Sequence, residues 1–295
     1  MIEKIIDTHV HIWDLGKADY PWLKGDTSLL NRNWVISSLE EERVRAGITE
    51  GILVQAAGNT EDTDHMLQVA VNTGWISGVV VWLPLQDPAA TERLLTEKYL
   101  PHPYFSGVRH QIHDEADPRW LLQQPVIDSL KILADHKVCF DVVAVKPVHI
   151  ETALDVAAKV PSLKMVFDHL SQPPIAAKQR FGHWGELMQT ASRHSSFYAK
   201  ISGLGTASGN PTGWSKDDLR PYIEFAIQHF GVGRCFCGGD WPVSLLAGTY
   251  SHTWTAYREI LAELLTAEEQ QQVLYQSALN FYSTKTQHKA DKVWK

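Results

Sequence analysis

Eight short runs rich in apolar and β-branched residues recur along the chain, at 5–12, 51–56, 78–83, 107–112, 138–144, 164–170, 197–204 and 235–241. Segments of helical period fall between them, at 38–46, 65–73, 89–98, 126–136, 148–159, 184–194 and 219–230. Strands separated by helices pair in parallel, because each helix carries the chain back to the edge from which the previous strand started. Eight such units predict an α/β chain, either an open sheet or a closed ring, and period alone does not separate the two. The polar residues do. Nearly every one embedded in an apolar run sits at its C-terminal end, the single face on which a (β/α)8 TIM barrel builds its site. The expectation is one barrel domain over 1–283, with two extra C-terminal helices within 251–282 and a polar, frayed tail over 284–295.

Local chemistry marks several helix boundaries. Ser38 with Glu41, and Thr266 with Glu269, have the spacing of reciprocal N-terminal caps. Pro125 removes a helical donor and is expected to divide the segment after strand four into a short and a longer helix. No linker composition appears.

A length of 295 residues suits one large barrel, and 44% hydrophobic with 21% charged residues suits a buried core. The net charge of -7, from 34 acidic against 27 basic side chains, and the lack of a long basic stripe argue against nucleic acid as a partner. Cys139, Cys235 and Cys237 all lie in apolar runs, unlike a disulfide framework, so a reducing cytoplasm is the expected location. Met1 leads almost directly into an apolar strand and a histidine pair, which fits no cleavable signal, and no apolar stretch reaches membrane-spanning length.

In 5–12, Asp7, His9 and His11 alternate, so all three are expected on one face of the strand. Two imidazoles facing a barrel interior can converge on one metal ion or one water; otherwise they are histidines satisfied at a strand end. Strand eight ends Gly238-Gly239-Asp240-Trp241-Pro242, and barrel closure would set Asp240 beside His9 and His11, although an Asp before Trp-Pro can also cap a helix. Strand six supplies His169 at the same depth, either as a third imidazole of the site or as a core histidine.

Strand four supplies Arg109-His110-Gln111, which cannot all face inward. Arg109 could stabilise an oxyanion or close a salt bridge, and twist could bring in His110 as a substrate contact. Lys200, inside strand seven, needs a partner: a structural carboxylate or a substrate. Among eleven tryptophans, Trp13, Trp34 and Trp82 stand at or after strand ends, where they could stack on a sugar face, as could Trp214 and Trp241, against a plain core role. Cys235 and Cys237 are expected beneath helices as small apolar groups.

Five motifs together carry a resemblance that spans nearly the whole chain: 7–13 (Asp-Thr-His-Val-His-Ile-Trp), 107–111 (Gly-Val-Arg-His-Gln), 168–173 (Asp-His-Leu-Ser-Gln-Pro), 200–204 (Lys-Ile-Ser-Gly-Leu) and 239–243 (Gly-Asp-Trp-Pro-Val). In this order they resemble the lactonase branch of the amidohydrolase superfamily, which includes fuconolactone, rhamnonolactone and pyrone-dicarboxylate hydrolases. The resemblance implies opening of a cyclic ester, with Asp240 activating water while His9, His11, His169 and Arg109 polarise the carbonyl. Strand five has no histidine and strand four no bridging lysine, a departure from the two-metal pattern of the wider superfamily that argues against two ions. Two options stay open: no ion, or one divalent ion, zinc by ligand type, on His9, His11, His169 and Asp240.

The expected substrate is a small-molecule aldonolactone, with 14–33 and 206–214 as the loops that set its stereochemistry. The rivals are a lactone carrying two carboxylates, metal-dependent decarboxylation of an aromatic or muconate-type acid, and a binding barrel without turnover. A homo-oligomer is left open.

Overall fold

The computed structural model describes residues 2–282, so the tail expected over 284–295 lies outside the described residues. All eight expected strands form: β1 (Ile6–Val10), β2 (Glu50–Val54), β3 (Ile76–Val81), β4 (Phe105–His110), β5 (Phe140–Val142), β6 (Met165–Phe167), β7 (Phe197–Ile201) and β8 (Cys235–Cys237). Each pairs in parallel with the next, in chain order. The ring closes just beyond β8, where the Asp240 amide donates to the His9 carbonyl and the His11 amide to the Trp241 carbonyl, both at 2.7 Å. The architecture is a single (β/α)8 barrel.

The helices α1 (Glu40–Ala46), α2 (Thr60–Asn72), α3 (Pro88–Leu94), α4 (Gln124–Asp135), α5 (Pro147–Lys159), α6 (Gly182–Ser192), α7 (Leu204–Ala207) and α8 (Lys216–Phe230) follow the strands in turn. After β8 come α9 (Tyr250–Leu264), α10 (Ala267–Gln271) and α11 (Ser277–Phe281), the last two joined through one wider turn. Thr266 and Glu269 form the expected reciprocal cap, and Pro125 stands in the first turn of α4 behind a separate short turn at Trp120–Leu122. Ser38 does not cap. It lies inside a tight turn at Ile36–Leu39, and Leu39 occupies the position before α1, so the Ser38 hydroxyl is not at a helix end.

Two apolar layers hold the ring. Outside it, the strands pack on the helices, and Cys235 sits under α8 with its Sγ near the Ala226 carbonyl. Inside it, Ile6, Ile52, Val54, Val80, Val166 and Phe236 meet Tyr275, Phe281 and Tyr282 from the last helical segment. That segment plugs the N-terminal end of the barrel and leaves the opposite end free for chemistry. No helix among the described residues is long and apolar enough to cross a membrane.

Two departures from ideal strands matter at the open end. The register slips between Asp7 and Val10, because the Asp7 carboxylate captures the His9 amide at 2.9 Å and takes it out of the ladder. Asp7 therefore does not share the face of the histidines: it accepts from the Tyr250 hydroxyl of α9 at 2.6 Å and the Gly239 amide at 2.8 Å. Strand six stops at Phe167, earlier than its apolar run, and His169, Leu170, Ser171 and Gln172 all turn left-handed, with φ between 49° and 57°. Such residues cost about 1–2 kcal/mol each. The offset comes from tertiary bonds, including the Trp184 indole to the Leu170 carbonyl at 2.7 Å.

Gly239 has no room for a side chain, since an added Cβ would overlap the Tyr250 ring and stand 2.5 Å from Asp7 Oδ2. Gly239→Ala should lower stability by about 1–3 kcal/mol in urea unfolding, the usual cost of overpacking; an unchanged midpoint would mean that the closure between β8 and β1 is not tightly packed.

Candidate active site

The slip in β1 aims His9 and His11 at the barrel axis, where their Nε2 atoms stand 3.0 Å apart. Asp240 comes to them from the other end of the chain: its Oδ1 is 3.7 Å from His9 Nε2, 3.6 Å from His11 Nε2 and 4.0 Å from His169 Nε2. Asp240 takes up a left-handed backbone (φ 55°) at the end of β8, and Gly203 at the end of β7 must lack a Cβ, which would otherwise lie 2.6 Å from His169 Nδ1 and 3.0 Å from Asp240 Oδ2.

Each imidazole is held from behind. His11 Nδ1 meets the Val54 carbonyl at 2.8 Å, so Nδ1 carries the proton and Nε2 offers a lone pair to the cavity. His169 Nδ1 lies 2.9 Å from the Ser202 hydroxyl, which also accepts the His169 amide at 3.2 Å. His9 Nδ1 lies 3.2 Å from Lys200 Nζ and 3.5 Å from Asp168 Oδ1.

Beneath the histidines runs a buried charge chain. Lys200 Nζ pairs with Asp141 Oδ2 at 2.6 Å and Asp168 Oδ1 at 2.7 Å, while Arg109 Nε donates to Asp168 Oδ2 at 2.9 Å and Arg109 Nη1 to the Gln55 carbonyl at 2.7 Å. Tyr282, from the plug, donates to Asp141 at 2.7 Å. Burial opposes charge on Lys200 and Asp168, yet each keeps it: the two carboxylates hold Lys200 above its ordinary value, and Lys200 with its neighbours holds Asp168 well below the carboxylate range.

Asp240 is the exception. Burial pushes its carboxyl well above the ordinary range, with Arg109 only partly opposing this, because both cations are already committed to Asp141 and Asp168. Burial likewise holds His9 well below its ordinary value and lowers His11 and His169 to about 3, so the three imidazoles are neutral at physiological pH. Neutral imidazoles and a carboxylate are the donor set of a divalent-ion site. The ligand atoms of His9, His11 and Asp240 all lie within 4.8 Å of one another, and a second such group joins His9, Asp168 and His169. These residues could hold one ion.

The cavity above them measures about 210 Å³ and is lined by His11, Trp13, Arg109, His169 and Asp240, together with Trp22, Gln111, His113, Asp114 and Thr206. The other residues singled out from the sequence lie elsewhere. Lys200 is fully buried under the histidines. His110 stacks on Trp120, with ring centres 4.1 Å apart, and bonds to Glu115 at 2.7 Å. Trp34 stands edge-on to Trp241 behind the site, and Trp82 and His110 line a separate outer groove. Sequence reasoning passed over Asp141, Asp168, Ser202, Gln55 and Trp22. A carboxylate in the middle of the apolar run of strand five, and another beside His169, were the available signals for the two partners that Lys200 required.

Comparisons with known proteins show the family to which the chain belongs. The amidohydrolase family profile matches residues 6–284. The chain is 32% identical over 286 residues to an L-fucono-1,5-lactonase of Burkholderia ambifaria, covering 94% of each, and 27% identical over 272 residues to one of Burkholderia multivorans, covering 90% of each. A crystal structure of an amidohydrolase from Burkholderia multivorans with bound zinc superposes with a TM-score of 0.86 at 23% identity, covering 95% of this chain and 99% of that one. The chain belongs to the amidohydrolase family and is a hydrolytic enzyme.

Removing Lys200 leaves the buried Asp141 without a cation and Asp168 with Arg109 alone. Lys200→Met should cost about 3–5 kcal/mol in urea unfolding, and adding Asp141→Asn should recover part of it; if the second substitution makes matters worse, the Lys200–Asp141 pair does not carry the charge balance.

Proposed function

We propose that this protein opens the ring of a neutral sugar lactone, an aldonolactone of the fucono- or rhamnonolactone kind. What carries the reading is a buried carboxylate, Asp240, left without a committed cation and set 3.6–4.0 Å from three neutral imidazoles on the floor of a cavity of about 210 Å³. The similarity to two L-fucono-1,5-lactonases supports it from the side of sequence.

The chemistry follows from the proton positions. A general base works best with a pKa near the working pH, and burial moves Asp240 in that direction. Asp240 takes a proton from water as the water oxygen bonds to the lactone carbonyl carbon. Negative charge then gathers on the carbonyl oxygen. Arg109 lines that cavity, and the Ser202 hydroxyl, by accepting the His169 amide, is free to donate to His169 Nδ1, which turns His169 Nε2–H toward the cavity. Both are donors for the developing oxyanion. Collapse breaks the ring C–O bond, and the departing alkoxide takes back the proton from Asp240, giving the open hydroxy acid.

We propose His9, His11 and Asp240 as the ion ligands, with His169 at their edge, and zinc as the fitting ion for this donor set. What such an ion supplies when bound is Lewis-acid polarisation of an ester carbonyl. The charge pattern disfavours a lactone carrying two carboxylates: among the described residues Arg109 is the only lysine or arginine lining the cavity, it is already paired with Asp168, and Asp114 also lines the cavity. Three free, buried cysteines suit a reducing compartment, so we place the reaction in the cytoplasm.

Purified protein, assayed with a pH indicator on L-fucono-1,5-lactone, should release acid, and Asp240→Asn should reduce kcat by about 100- to 10,000-fold. No acid release above the variant's would remove the reading. In metal-free protein, kcat/KM should fall as pH drops through the raised pKa of Asp240, well above the ordinary carboxylate range, because protonation removes the base; a fall centred near pH 4 would contradict that assignment. Elemental analysis with activity before and after chelation checks the ion.

A further inference from the structure

Beside the cavity, and sharing Trp22, Gln111 and Asp114 with it, lies an outer groove of about 720 Å³. A single lactone ring seated against Asp240 leaves this space unfilled. Its shared wall is fixed, because the Trp22 indole donates to the Ala56 carbonyl at 2.8 Å. Three indoles, Trp22, Trp82 and Trp120, line the groove.

The charges select the ligand. Among the described residues no lysine or arginine lines the groove, whereas four carboxylates do: Asp19, Asp87, Asp114 and Glu115. An anion would be repelled. A cation is not called for either, since Asp19 already pairs with Lys24 at 3.0 Å, Glu115 with His110 at 2.7 Å, and Asp87 caps α3 by accepting the Ala90 amide. Such carboxylates still accept hydroxyl donors through their free lone pairs. Aromatic faces together with hydroxyl acceptors are what a neutral sugar ring needs: its C–H face stacks and its hydroxyls donate.

We propose that the outer groove is a neutral saccharide subsite, so that the preferred lactone carries a further glycosyl unit lying on Trp82 while its ring sits against Asp240. This rests on the lactonase reading for the inner cavity. Gly58 offers a way to close the groove alone: an added Cβ meets nothing nearer than Trp82 Nε1 at 3.5 Å, and its backbone is open to any residue.

The test has two arms, using wild-type and Gly58→Leu protein. Binding of cellobiose, lactose and maltose is followed by tryptophan fluorescence, and turnover of L-fucono-1,5-lactone, D-glucono-1,5-lactone and the corresponding cellobiono-, lactobiono- and maltobiono-lactones by acid release. At least one disaccharide should bind, or one disaccharide lactone should exceed D-glucono-1,5-lactone by about tenfold in kcat/KM, and Gly58→Leu should remove that preference while leaving L-fucono-1,5-lactone turnover within about twofold. Absence of any disaccharide effect, or an effect that Gly58→Leu leaves intact, overturns the subsite. Disaccharide binding without hydrolysis of any lactone would instead sink the lactonase reading and leave the groove standing.

Discussion

Two backbone hydrogen bonds, from the Asp240 amide to the His9 carbonyl and from the His11 amide to the Trp241 carbonyl, close the ring and create the site at the same point. Residues more than two hundred positions apart become neighbours there because the sheet returns to its first strand. Glycines at 238 and 239 allow the approach: a Cβ on Gly238 would lie 2.6 Å from His9 Cβ. Fold closure and chemistry are therefore one constraint.

The electrostatics follow from how few cations the interior holds. Among the described residues Asp141, Asp168 and Asp240 face only Lys200 and Arg109, and geometry assigns both cations to the first two. The surplus falls on Asp240, whose ionisation then depends on what enters the cavity: a proton, an ion or a reacting water. A fully paired Asp240 would be a weak base, and an exposed one would have an ordinary pKa. The Lys200 network thus serves the site from below, by holding His9 in place and by keeping positive charge away from Asp240.

The repeating strand and helix pattern made the barrel legible from sequence, and the polar residues at the C-terminal ends of the runs named the open face. His9, His11, His169, Asp240 and Arg109 were visible because each interrupts an apolar run. Asp7 misled because strand alternation assumes an unbroken ladder, and its own carboxylate breaks the ladder by capturing the His9 amide. Ser38 misled because a local capping pattern was overruled by burial of Leu39. The left-handed turn at His169 had no local glycine to signal it, and contacts with Ser202 and Trp184, outside the turn, help to sustain it. The outer groove was equally hidden, since its tryptophans come from separate loops.

A buried carboxylate without its own cation sits among neutral imidazoles. Carbon NMR of metal-free protein labelled at the aspartate carboxyls, with the Asp240 signal assigned through Asp240→Asn, tests it directly. Asp240 should titrate well above the usual carboxylate value of about 4, separately from Asp168, which stays ionised below it. An Asp240 signal that titrates near or below that value would contradict it.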